Sequence, residues 1–222
     1  MDWRERYERA AARYAAGETR EADERQLVQL ANAAWAAGLS LLMAGDRAGA
    51  AEWLRRSAAR YRESWDVGGA TDAWGRPIAA MKALLIAGVA ETRPCDDLLL
   101  AARWALDEGA AEAESPIGRY AGVLALLVLD RDTEAGALAG TLGDEFPSDV
   151  ADALRALAAH DAGAYSAAVA SVRRSFEERE AFLEDVPVAD TALALDALAR
   201  SRSLGAPAQE RQRPRRRTED PT

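Results

Sequence analysis

Cysteine occurs once in this chain of 222 residues, at Cys95, which excludes an intrachain disulfide and a cysteine-based zinc site. Histidine also occurs once, at His160, so no His-rich metal cluster can form. Lysine is confined to Lys82, and every other basic residue is arginine, as a GC-rich coding bias would produce. Aromatic residues are 6% of the total, and β-branched residues are sparse beside Ala and Leu. Ala loses no side-chain entropy in a helix and Leu loses little, while no alternating β-branched run marks a strand. The expected class is all-α.

Positive charge is also in short supply. The 28 basic residues against 37 acidic ones leave a net charge of -9 and a pI near 4.8. A surface this acidic repels phosphate backbones and argues against nucleic-acid binding by the body of the chain. One stretch, residues 27–45, passes without a charge, but Gln29, Asn32, Ser40 and many alanines keep it only mildly apolar. A spanning helix needs about 20 strongly apolar residues, so this reads as a buried core helix and no membrane partner is expected. The start, Met1-Asp2-Trp3-Arg4-Glu5-Arg6, is too charged for a secretory signal, so a cytoplasmic location is expected.

Catalytic devices are missing from the sequence as well. There is no Gly-rich phosphate loop, no His pair on one helix face and no serine-centred elbow, and no cofactor is implied. Cys95 precedes Asp96 and Asp97 at a helix start. Amide dipoles there favour a thiolate, but two carboxylates oppose it and no histidine is near in sequence to act as base.

Punctuation places the helices. Residues 2–16 read as an amphipathic helix stopped by Gly17, 20–44 as a long second helix, and 47–65 as its partner after Gly45-Asp46. A glycine-rich loop covers 66–72. Pro77 opens a helix to 87, and Pro94 with Asp96-Asp97 precedes another to about 108. Ser115 as N-cap and Pro116 in the first turn start a helix to about 129. Helices over 133–142, 149–159 and 164–183 follow, and Pro187 begins a last one ending near 203. From Gly205 onward Pro, Gln, Arg and Glu dominate and cannot offset the entropy of ordering. The expected organisation is one domain over 1–204 and a disordered Arg/Pro-rich tail over 205–222.

The pattern at 34–57 is the most specific one present: Ala34-x2-Ala37-Gly38-x2-Leu41, then Gly45-Asp46, then Ala50-x3-Leu54-x2-Ser57. Small residues stand where two helices must touch, and Gly-Asp turns the chain. A second copy runs through Ala156, Ala159, Gly163, Tyr165, Ala168, Val172 and Ser175, with Asp152 and Arg155 at places where apolar residues are usual. This hairpin resembles the tetratricopeptide repeat. The resemblance implies a right-handed stack of antiparallel helix pairs, an α-solenoid, that binds a peptide or protein on a face built from the first helix of each pair.

Some residues stand out as candidates for function. At ~100° per residue, Lys82 falls on the stripe of Ile78, Leu85 and Ile86, Arg119 on that of Val123 and Leu126, and Asp190 near Leu193 and Ala194. Inward charges must snorkel or be paired, so Lys82, Arg119 and Asp190, with Glu184 and Asp185, are expected to cluster at one end of the stack. Such a cluster is either a satisfied ion-pair network or a ligand site. Tyr61, Trp65, Trp74 and Arg76 flank the 66–72 loop and supply the residue types that anchor interfaces; the bland reading, that the two indoles seal a joint between helix pairs, is the more common use of such residues.

The functional expectation is a non-catalytic protein that recognises a protein or peptide segment on a groove around 77–88 and 116–128, with Trp74, Arg76 and Arg119 as anchors and Lys82 holding their geometry through Asp190. The alternative is a small-molecule-binding or enzymatic protein using Lys82, Arg119 and the acidic residues in a closed pocket. Self-association into a homo-oligomer is a third.

Overall fold

Alanine-rich helix faces without bulky branches pack closely, and this chain uses that closeness throughout. The computed structural model describes residues 2–18, 22–69, 72–91 and 96–204. Among them are ten helices and no strand: α1 Trp3–Gly17, α2 Glu24–Met43, α3 Arg47–Gly68, α4 Gly75–Glu91, α5 Asp96–Asp107, α6 Pro116–Val128, α7 Asp132–Ala139, α8 Ser148–Ala158, α9 Ala162–Glu177 and α10 Asp190–Ser201. Short 3-10 turns cover Ala110–Glu112 and Leu183–Asp185. Cys95 and the tail over 205–222 lie outside the described residues.

Side chains at the helix starts satisfy the free amides. Asp2, Asp46, Ser115 and Asp161 each accept from amides of the first turn, and Asp23 forms a reciprocal capping box with Gln26. The capping box explains why α2 begins at Glu24 and not at Arg20. At its far end α3 runs past Trp65 to Gly68, because Gly69 takes a left-handed φ of 60° and returns its amide to the Trp65 carbonyl at 3.1 Å.

Each helix packs on the next along the chain, from α1 on α2 to α9 on α10. In addition α4 touches α6, α6 touches α8, and α10 turns back onto α4 and α8. The α2–α3 hairpin is the most extensive helix contact, and a close one. A Cβ on Gly38 would lie 2.7 Å from Leu54 Cγ and 3.2 Å from the Ala50 carbonyl oxygen, so only glycine permits this approach. The Ser57 hydroxyl donates to the Ala31 carbonyl at 2.9 Å across the same seam, and Gly45 turns the chain at φ 86°. In the second copy, Asp152 and Arg155 pair with each other at the surface, which accounts for charges at those positions.

Residues 178–189 depart from the expected helices. α9 stops at Glu177 instead of 183, and α10 begins at Asp190 rather than Pro187. Phe182 returns its ring to Phe176 at 5.0 Å, Glu184 and Asp185 both take φ 56°, and the chain continues extended through Val186. Val186 and Val188 are both buried while Pro187 between them is not. An extended backbone puts alternate residues on one side, and a helix started at Pro187 would separate the two valines.

Candidate functional site

The aromatic group expected to form a recognition surface is instead part of the core. Trp65 and Trp74 are 5% and 7% exposed; their rings lie 5.5 Å apart, and Trp104 of α5 stands edge-on to Trp65 at 5.7 Å. The trio seals the joint between α3, α4 and α5, so Trp74 has no free face to offer a partner in this conformation. The Tyr61 hydroxyl bonds the Asn32 amide oxygen at 2.6 Å. Arg76 donates to the Ser64 carbonyl at 2.9 Å and to the Glu24 carboxylate, tying the start of α4 to α3 and α2.

Arg119 lies apart from the predicted charge cluster. Its guanidinium donates to the backbone carbonyls of Ala113 at 3.1 Å, Glu114 at 2.8 Å and Thr141 at 2.6 Å. Five N–H donors in a rigid fork suit this task, and here they staple the turn before α6 to the end of α7.

Lys82 and Asp190 do meet. The Lys82 ammonium reaches the Asp190 carboxylate at 2.5 Å and the Thr191 hydroxyl at 3.0 Å, over the ring of Trp35 with its centroid 5.7 Å away. The two side chains are 12% and 22% exposed, so the pair is largely withdrawn from water. Asp190 also accepts the Thr191 amide at 2.7 Å. Burial raises the Tyr61 phenol above the usual tyrosine range, with the Glu184 and Asp190 carboxylates adding to it, and burial with Asp190 does the same to Tyr120. Both phenols therefore stay neutral beside this carboxylate.

Seven residues upstream of Thr191 the same stretch is fixed a second time. Arg13 of α1 pairs with Glu184 at 2.7 Å, and Arg6 donates to the Asp185 carbonyl. The 3-10 turn rests on α2. Glu184 in the left-handed turn, and Val186, Val188 and Asp190 at every second position after it, lie between the arginines of α1 and Lys82 of α4, the two acids at the ends and the two buried valines between them. Residues 184–190 thus form a strap laid against α1, α2 and α4. Its edges are not fully filled. About 410 Å³ stays open beside Arg6, Arg9, Arg13, Ala36 and Glu184, and about 240 Å³ beside Val150, Val172, Phe176, Ala189 and Thr191.

Arg6, Arg13, Trp35, Val186 and Val188 were not among the residues singled out from sequence. Two signals were present: Arg6, Arg9 and Arg13 share one face of a helix at i, i+3 and i+7, and Val186-x-Val188 puts two β-branched residues at a spacing of two, as a strand does. A separate apolar cleft of about 390 Å³ lies between α3 and α5 over α4, floored by Ala80, Leu84 and Trp104, with Leu100 exposed at its edge.

Among the described residues no group of three or more His, Cys, Asp or Glu could hold a metal ion, and no helix is long and apolar enough to cross a membrane. No protein-family model, curated protein or solved structure matches the chain.

Proposed function

We propose that this chain is a non-catalytic binding protein, a stack of antiparallel helix pairs akin to tetratricopeptide repeats, that holds an extended protein segment against α1, α2 and α4. The observation that carries this reading is the seat of residues 184–190, which these helices grip as a peptide would be gripped: charged ends on Arg13 and Lys82, apolar side chains between. The packing of each helix on its chain neighbour, with α4 on α6 and α6 on α8, supports the stacked arrangement. Against the enclosed-pocket alternative, Lys82 is engaged by Asp190 and Thr191, while the Arg119 donors rest on three carbonyls.

A random-peptide display selection on the folded chain, followed by fluorescence titration of the enriched sequences, tests the reading. Peptides that bind one to one and lose at least about tenfold in affinity on Arg13→Glu, the equivalent of 1.4 kcal/mol, support it. Enriched peptides indifferent to Arg13→Glu and Lys82→Met place binding elsewhere and contradict it.

A further inference from the structure

We infer that the strap is an intramolecular competitor: residues 184–190 close the segment-binding face in cis, and a partner gains access by displacing them. The inference rests on the reading of that face as a peptide seat, and adds who occupies it first and what chemistry the occupant carries.

The strap is held locally and at few points. On one side stands the Arg13–Glu184 pair, whose arginine is 54% exposed and screened by salt. On the other stands Lys82–Asp190, and between them Val186 and Val188 fill the seat. Two non-glycine residues in succession, Glu184 and Asp185, hold left-handed backbone that side chains disfavour, so the same contacts must oppose local strain. Open space borders both ends. Helix α9 precedes the strap and packs on α8; α10, whose first residue Asp190 ends the strap, also packs on α4, α8 and α9, so these contacts can hold both flanks while the segment between them lifts and Lys82–Asp190 opens. Lifting it frees the Arg6 and Arg13 side chains on α1. Those cations select a partner segment of the same chemistry as the strap, an acidic residue outside apolar ones in extended conformation.

The arithmetic favours displacement over permanent closure. A tethered segment competes at an effective concentration in the millimolar range. Against an intrinsic affinity near ~100 µM this weakens a free peptide about tenfold and no more. A partner with additional contacts overcomes such a factor.

The test uses the full chain, a fluorescein-labelled synthetic peptide copying residues 181–192, and a strap-release variant, Val186→Asp with Val188→Asp, that leaves Arg6, Arg13 and Lys82 intact. A protease specific for glutamate reports release by cleaving after Glu184. The expected result is faster cleavage in the release variant and peptide affinity about tenfold tighter than in the wild type, lost again when Arg13→Glu is added. Equal affinity in both chains overturns the competition. Rapid cleavage without peptide binding sinks the peptide-seat reading and the inference with it. Unchanged cleavage sinks the strap alone, leaving the segment-binding face to its own test. If the double variant loses helicity, Val186→Ala with Val188→Ala replaces it; that milder pair must shift cleavage and affinity in the same directions, and no shift in either counts against the proposal.

Discussion

Replacing Lys82 with methionine removes the charge and keeps the length of the side chain, which isolates the electrostatic part of its seat. Breaking a buried ion pair by removing one partner costs about 3–5 kcal/mol when the other is left dry and alone. Here Asp190 keeps 22% of its side chain exposed and still accepts the Thr191 amide, so the expected loss for Lys82→Met is smaller, about 2 kcal/mol. Asp190→Leu leaves an ammonium only 12% exposed above Trp35 and should cost about as much. The double variant replaces the pair with apolar groups, so its loss should stay near that of either single one, a coupling of about 1.5–2 kcal/mol. Urea denaturation followed by far-ultraviolet circular dichroism measures all four proteins. For a chain of this length about 2 kcal/mol also appears as a fall of roughly 4–8 °C in Tm. Losses that simply add, with coupling below about 0.5 kcal/mol, would refute the contact and with it the anchoring of α10 on α4.

Trp74→Ala should cost about 3–5 kcal/mol through the cavity left beside Trp65 and Gly118, visible as a lower Tm; an unchanged Tm with impaired partner binding would make the ring an exposed anchor after all. Gly38→Ala drives a Cβ against Leu54 and the Ala50 carbonyl and should destabilise by about 1–3 kcal/mol in the same assay; a neutral result would mean that α2 and α3 are further apart. Tyr61, Tyr120 and Tyr165 all have phenols raised by burial, Tyr165 also through its hydrogen bond to Asp196. A raised folded value means stability is complete below the unfolded tyrosine pKa of about 10 and falls as pH climbs above it, by up to about 1.4 kcal/mol per unit for each phenol. Ultraviolet titration of the folded chain should therefore show these phenols ionising only with unfolding; normal titration near pH 10 contradicts their burial.

The helical class and the α2–α3 hairpin were legible in the sequence because their causes are local. Ala34, Ala37, Gly38, Ala50 and Leu54 mark a close helix contact by size alone, and Gly45-Asp46 supplies both the turn and the cap. The Lys82–Asp190 pair was legible because each charge lies on an apolar stripe and needs a partner. Arg119 misled for a related reason: it is only half-buried, and backbone carbonyls satisfy it in place of a carboxylate. The tryptophans carry no local sign of which face is covered, since that depends on α5 arriving beside α3 and α4. The strap was hidden most thoroughly. Pro187-Val188 reads as a helix start, and the left-handed backbone at Glu184 and Asp185 leaves no glycine as a marker.

The seat of residues 184–190 is tested most directly by amide hydrogen exchange at Val188 and Asp190, whose amides bond the Val186 and Val188 carbonyls at 2.8 Å. Slow exchange in the wild type, accelerated by Arg13→Glu while the amides of α8 and α9 keep their protection, is the predicted outcome. Amides at 188 and 190 that exchange in the wild type as fast as an unstructured peptide would contradict a strap bound to α1, α2 and α4.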